Sequence, residues 1–206
     1  ARVRRALRGV PAGRLAVAVP WPRDRNELRL LRDYMLPQFE RHPIVLLLGA
    51  PGRNDARILF GPALLRHDVR VVTGRLDADL IAAAARCVDA FLVLTDTPET
   101  STSGGDLVIA LAMGGVPLVM AGAEDARVLA HERSAFLLEP GDHDGLVQAL
   151  NQVLALPAVQ RHCLGEEFAR HTLATHRPED AAAVYAQRFA ALAGRPAIPA
   201  EWRIAA

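Results

Sequence analysis

The chain has 206 residues, of which 51% are hydrophobic, and its 24 basic and 23 acidic side chains leave a formal net charge of +1. This length and composition predict a globular protein with a sizeable core, and the near-neutral balance argues against a nucleic-acid-binding surface. Cys87 and Cys163 lie in apolar, helix-like surroundings without metal-ligand spacing, which indicates free thiols in a reducing, cytoplasmic compartment. No apolar run reaches the roughly 18 residues of a membrane span, so we expect no transmembrane segment.

Short apolar strands alternate with helical patterns through most of the chain. Helical patterns cover 26–35, 55–66, 77–87 and 107–113, and another begins at 124; Gly61 and Pro62 weaken the second of these. The predicted strands span 14–19, 43–48, 69–72, 89–94, 116–120 and 135–138. Strands and helices that alternate at this spacing indicate βαβ units with right-handed crossovers.

Continuous apolar runs such as 43–48 are typical of strands that are covered on both faces, as in a parallel sheet. The sequence therefore predicts an α/β protein with a Rossmann-like open parallel sheet of about six strands flanked by helices. Residues 142–194 are helical in pattern, and 195–206 form a tail with two prolines and one tryptophan. Without an internal repeat or a convincing linker, we predict a single domain over 1–206, with the alternating part at about 14–140.

The segment Thr100–Asp106 follows a predicted strand and leads into a helical pattern. It combines small hydroxyl residues with glycines. Unpaired amides in the first turn of a helix attract anions, and glycine allows close approach of a phosphate. The plain alternative is a polar loop with a Ser or Gly N-cap. The candidates here are Ser103, Gly104, Gly105 and Asp106.

Three other loops carry glycine or arginine after a predicted strand, at the edge of the sheet where ligands of such folds bind. They match neither the G-x-G-x-x-G fingerprint nor the P-loop. A guanidinium group can donate two hydrogen bonds to one phosphate. The plain alternatives are that Arg25 and Arg75 are surface residues and that Gly74 serves a turn. The candidates are Arg25, Gly49, Gly52, Arg53, Gly74 and Arg75.

Other kinds of site find little support. The seven histidines show no H-E-x-x-H or H-x-x-x-H arrangement, and no G-x-S-x-G elbow is present. We therefore expect neither a metal nor a cofactor.

Four segments, taken in order, resemble a known family. They are Leu47-Leu-Gly-Ala-Pro-Gly-Arg53, Val72-Thr-Gly-Arg-Leu-Asp-Ala-Asp-Leu80, Gly105-Asp-Leu-Val-Ile-Ala-Leu-Ala-Met-Gly-Gly-Val-Pro-Leu-Val119 and Phe136-Leu-Leu-Glu-Pro-Gly-Asp-His-Asp-Gly-Leu146. Together, from about Leu15 to Tyr185, they resemble the carboxy-terminal half of a GT-B glycosyltransferase of the group 1 family, in divergent form.

That resemblance implies one half of a GT-B fold, which binds a nucleoside diphosphate sugar. By it, Ser103, Gly104 and Gly105 hold the distal phosphate, Arg25 and Arg53 neutralise the diphosphate, and Gly74 and Arg75 line the base side. The family's two donor-site glutamates would fall on Thr102 and Ala110, so both carboxylates are missing, and Asp106 is out of register with them. The family also has two cations early in this half, and only one of them has a counterpart here, namely Arg25.

The resemblance also implies an amino-terminal acceptor domain, which this chain lacks, so we expect the chain alone to be inactive although its parent is a hexosyltransferase. The leading interpretation is the nucleotide-sugar-binding domain of a glycosyltransferase. The alternative is a catalytically degenerate GT-B-like binding or interaction module that has lost the donor-site glutamates. A third possibility is an unrelated α/β protein that binds nucleotides or phosphosugars.

Overall fold

A computed structural model describes residues 2–22, 24–94, 116–121, 135–138, 141–175 and 177–192. The strands are β1 (Ala16–Pro20), β2 (Ile44–Ala50), β3 (Val69–Thr73), β4 (Ala90–Leu94), β5 (Leu118–Ala121) and β6 (Ala135–Leu138). The α-helices are α1 (Arg2–Ala6), α2 (Arg25–Arg29), α3 (Arg53–Phe60), α4 (Ala63–Arg66), α5 (Ala78–Ala85), α6 (His143–Ala155), α7 (Ala158–Thr175) and α8 (Pro178–Leu192). A π-helix (Leu30–Met35) and a 3-10 turn (Leu36–Gln38) continue α2.

The six strands form one sheet in the order β3-β2-β1-β4-β5-β6, and every neighbouring pair is parallel. The predicted six-stranded, Rossmann-like α/β class is thereby confirmed. From β1 the chain first builds outward through β2 to β3, and β4 then pairs with the other side of β1. This reversal between β1 and β4 is where open parallel sheets usually bind ligands.

Alternate residues of the central strands enter different cores. Val45 and Leu47 of β2 pack with α6 and with the helices after β1 and β2, whereas Leu46 and Leu48 pack with α1, α5 and Phe168 of α7. All four of these side chains are fully buried. Both faces of the sheet are therefore covered by helices, which explains why β2 is a continuous apolar run.

The helix predicted over 26–35 changes type part-way along its length. The amide of Leu36 donates to the carbonyl of Leu31, five residues earlier, which marks the wider π turn. Leu30 and Met35, and likewise Leu31 and Leu36, are five apart and buried. The wider turn brings both pairs onto the core face. The predicted helix is therefore present, but its second half is a π-helix.

The helix predicted over 55–66 is two helices, because Gly61 and Pro62 separate α3 from α4. Gly61 has φ +47° and ends α3, and Pro62 has no amide hydrogen with which to continue the ladder. Helix α1 was not predicted. Its Val3 is buried against α5 and the neighbouring strands.

None of the helices in the described ranges is both long and apolar enough to cross a membrane.

Candidate functional site at the carboxyl edge of the sheet

The loops that follow β1, β2 and β3 leave the sheet at the same edge, because the three strands are parallel and adjacent. Neighbouring strands lie about 4.8 Å apart, so the ends of β1 and β3 are separated by roughly 10 Å. Six of the ten predicted site residues lie at or just after these strand ends. The topology therefore brings together three loops that are far apart in the sequence.

The loop after β1 is held on both sides before it enters α2. The amide of Trp21 donates to the carbonyl of Leu48 at 2.7 Å, which extends the pairing with β2. Asp24 caps α2, since its Oδ1 accepts from the amides of Asn26 at 2.7 Å and Glu27 at 2.9 Å. Arg25 is the first residue of α2 and is exposed. Its backbone is fixed while its guanidinium group reaches solvent.

The two glycines near the end of β2 have different reasons to be glycine. Gly49 has φ +85° at a register shift of the strand, and a Cβ there would lie 2.9 Å from Cβ of Leu76. Gly52 is extended, with φ −157°, and a Cβ would meet only the carboxylate end of Asp55. Gly49 is thus required by backbone shape and by the packing of the next loop, whereas Gly52 is not. Arg53 begins α3 and is exposed.

The loop after β3 is covered by the first helix of the chain. Gly74 has φ +112°, and its amide donates to the carbonyl of Ala50 at 3.0 Å. Arg2 lies directly against Gly74: its Nη1 donates to the carbonyl of Thr73 at 3.3 Å, and a Cβ on Gly74 would come within 2.5 Å of that nitrogen. Arg75, the next residue, is exposed. Glycine is therefore needed at position 74 both for the turn and to leave space for the Arg2 side chain.

Arg25, Arg53 and Arg75 share one further property. Among the residues that the structure describes, none of the three forms an ion pair or a side-chain hydrogen bond. Three exposed guanidinium groups without acidic partners among the described residues leave donors for an anion at this edge.

The predicted site residues Ser103, Gly104, Gly105 and Asp106, and the positions Thr102 and Ala110, lie outside the described residues. Their roles stay predictions.

Sequence reasoning missed two charged residues at this edge. Arg2 adds a fourth guanidinium group beside Gly74; the spacing of Val3, Ala6 and Leu7, which form one apolar face, is the signal that could have revealed its helix. Glu27 is almost completely buried in the first turn of α2. Its side chain looked like an ordinary exposed helical glutamate, and nothing in the sequence distinguishes it.

No cluster of three or more potential metal ligands occurs within the described ranges. The absence of a metal stays an expectation from the sequence.

No family model matches the chain, and no curated protein matches it significantly. Several solved structures do match its fold. Sucrose-phosphate synthase from Thermosynechococcus elongatus superposes with a TM-score of 0.70 at 19% identity, over 93% of this chain and 48% of that protein. The α,α-trehalose 6-phosphate synthase from Burkholderia multivorans gives a TM-score of 0.60 at 19% identity, over 96% of this chain and 46% of the other.

A third similar structure was solved with a nucleotide sugar. Anabaena HepE in complex with UDP-glucose gives a TM-score of 0.63 at 17% identity, over 89% of this chain and 50% of HepE. The chain thus spans about half the length of the structures that it matches. At these identities the likeness establishes architecture. This chain has the fold of one Rossmann-like half of a GT-B glycosyltransferase.

Proposed function

We propose that this chain binds a nucleoside diphosphate sugar at the carboxyl edge of its sheet and serves as the donor-binding half of a glycosyltransferase. The observation that carries the proposal is the convergence of three arginine-bearing loops beside the reversal between β1 and β4. A diphosphate has several anionic oxygens, and guanidinium groups match them in charge and geometry.

Each loop has a separate part in this proposal. Arg25 and Arg53 neutralise the diphosphate, because both begin helices at strands that flank one another. Gly74 and Arg75, at the outer strand β3, line the side of the base. The amides of Ser103, Gly104 and Gly105 bind the distal phosphate, with Asp106 beside them. The last assignment rests on the sequence pattern alone.

The similar structures support the donor class. The similar structures include enzymes that are named as sugar-phosphate synthases, and HepE was solved with UDP-glucose. Since this chain shares their architecture over half their length, we extend a nucleotide-sugar donor to it. The sugar-transfer activity belongs to the parent protein, because a reaction in a cleft needs both walls to position donor and acceptor.

The acceptor-side wall is proposed to come from a second domain. Helix α8 carries large apolar side chains that are exposed among the described residues, namely Val184, Tyr185, Phe189 and Leu192. Tyr185, Phe189 and Leu192 follow helical spacing, and the rings of Tyr185 and Phe189 stack at 6.4 Å. An apolar stripe of this kind is typical of a surface that packs against another protein unit.

Nucleotide titration tests the proposal. We expect UDP, GDP or one of their sugars at about 100 times its Kd to stabilise the chain by about 2.7 kcal/mol, which raises the melting temperature by roughly 5–10 °C. Arg25→Gln should weaken that nucleotide's binding by about tenfold or more, since it removes a charge-assisted hydrogen bond. Gly105→Val should abolish binding, because a branched side chain would occupy the phosphate position.

The matched control is Arg57→Gln, which changes an exposed arginine of α3 away from the strand ends. Its affinity for the nucleotide should equal that of the unmodified chain. A chain that responds to no nucleotide would refute donor binding and favour the interaction module.

A further inference from the structure

A cavity of about 570 Å³ lies away from the carboxyl edge. It opens between the π-helix and the break that separates α3 from α4. His67, two residues before β3 begins, is part of its lining. The cavity therefore lies toward the amino edge of the sheet, about one strand length, roughly 17 Å, from the proposed donor site. Its volume is in the range of small-molecule sites.

Two interruptions of regular helix create this space. Gly61 and Pro62 end α3 and restart the chain as α4, and both line the cavity. On the opposite wall, the π turn carries Arg32 and Asp33. Short π segments inside helices are rare and are frequently found at functional sites. The two irregularities face each other across the same cavity.

Arg32 fixes the width of the cavity. Its Nη1 donates to the carbonyl of Leu59 at 2.8 Å, which ties the π-helix to the end of α3. Its Nε and Nη2 donate to both oxygens of Asp33, at 2.6 and 2.7 Å. This pair lowers the pKa of Asp33 and raises the pKa of Arg32. The two charges compensate each other, so this wall is nearly neutral.

Arg66 is the charged residue of the lining that no acidic side chain among the described residues compensates. It is exposed on α4, lines the cavity and forms no ion pair or hydrogen bond of its side chain with any described residue. The neighbouring His67 is neutral near pH 7, because burial first, and then Arg66 and His42, lower its pKa. Two of the apolar side chains in the lining, Ile58 and Pro62, are exposed, and Ile58 is 78% exposed. The cavity thus combines one uncompensated guanidinium group with accessible apolar surface.

We propose that this cavity binds a small organic oxyanion, separately from the nucleotide-sugar donor. The phosphate or carboxylate group of the ligand pairs with Arg66 through two hydrogen bonds, and its organic body packs on Ile58 and Pro62. This pairing follows from the planar guanidinium fork, which matches two oxygens of either group.

Backbone NMR of this chain tests the site with three probes: inorganic phosphate, phenyl phosphate and benzoate. We expect saturable shifts of the Gly61, Ala63 and His67 amides, while the Gly52 and Gly74 amides at the opposite edge report on the donor site separately. Phenyl phosphate should bind about tenfold more tightly than inorganic phosphate, because its ring buries apolar surface. Comparison with benzoate shows whether the site prefers a phosphate or a carboxylate group.

Arg66→Gln should weaken binding of phenyl phosphate at least tenfold. Arg57→Gln, an exposed arginine of the adjacent helix that does not line the cavity, should leave it unchanged. Because Arg66 is exposed, circular dichroism should show both variants folded; Arg66→Lys should retain part of the affinity. Absence of saturable shifts at the three cavity amides with all three probes, or shifts that survive Arg66→Gln, would overturn the proposal without affecting the donor site.

Discussion

The two edges of the sheet use arginine in opposite ways. At the amino edge, Asp68 accepts from Arg14 at 2.8 Å and from Arg70 at 3.0 Å, and Asp89 accepts from Arg161 at 2.8 Å. At the carboxyl edge, Arg25, Arg53 and Arg75 form no such pairs with described residues, and Arg2 lies 4.0 Å from Asp77, at the limit of an ion pair. Arg14, Arg70 and Arg161 therefore close the structure at the amino edge, where Arg66 is the exception, and Arg25, Arg53 and Arg75 remain available to a ligand at the carboxyl edge.

The charged side chains of the amino edge form hydrogen bonds with the backbone as well as ion pairs. Asp89 accepts from the amide of Ala16 at 2.9 Å, and Arg70 donates to the carbonyls of Ala6 and Arg8. Arg161 bridges Asp89 and the carbonyl of Leu156. These contacts fasten the starts of β1 and β4, the end of α1 and the turn before α7. A change at one edge should consequently affect folding, and a change at the other should affect binding.

Arg161→Ala should give the largest loss of stability. Only 11% of the Arg161 side chain is exposed, so its removal deprives Oδ1 of Asp89 and the carbonyl of Leu156 of a donor at a partly buried position. We expect the free energy of unfolding to fall by about 2–4 kcal/mol, measured by urea denaturation. Arg25→Ala, at the opposite edge, should change it by less than about 0.5 kcal/mol. Equal losses in the two variants would contradict the contrast between the edges.

Gly49→Ala should give the next largest loss of stability. Gly52→Ala, in the same loop, is its matched control. At Gly49 a side chain meets both a left-handed backbone and Leu76, so we expect a loss of about 2–3 kcal/mol. At Gly52 the backbone is extended and the Asp55 carboxylate can turn away, so the loss should stay below about 1 kcal/mol. Thermal denaturation compares the two; a larger loss in Gly52→Ala would show that the loop is held differently.

The smallest expected effect on stability is the pH dependence that His67 contributes. Its folded-state pKa lies below the ordinary value of 6.5, so the unfolded chain binds its proton more readily. Its contribution to stability is complete above about pH 6.5 and is lost as the pH falls through the folded-state pKa.

Titration of unfolding between pH 7 and pH 5 should show this slope, and His67→Gln should flatten it. Arg66→Gln should raise the pKa of His67, measured by NMR, because it removes a neighbouring positive charge. An unchanged pKa in that variant would show that Arg66 does not contribute to the shift.

Regular features of this chain could be read from the sequence. Apolar runs such as the one in β2 identified the strands, and strands and helices in alternation identified a parallel sheet. The starts of helices could be predicted where a side chain caps them. Asp77 is an example, because its Oδ1 accepts from the amide of Leu80 at 2.8 Å. The loops that carry Arg25, Arg53 and Arg75 were located because each follows an apolar strand.

Other features depended on contacts between distant residues. Arg2 reaches Thr73 and Gly74 only because α1 lies along the edge strand, and such a contact spans about 70 positions of the chain. The π turn at Leu30–Met35 depends on which side chains pack into the core. The space beside Arg66 exists because a helix break and a π turn happen to face each other.

The sequence by itself determined the alternation of elements, the parallel sheet and the loops that carry Arg25, Arg53 and Arg75, because hydrophobic period, caps and turn residues act over a few positions. Only the tertiary structure decided which guanidinium groups are bound by acids and which are left to a ligand. That choice depends on distances between side chains brought together by folding, and no local pattern encodes them.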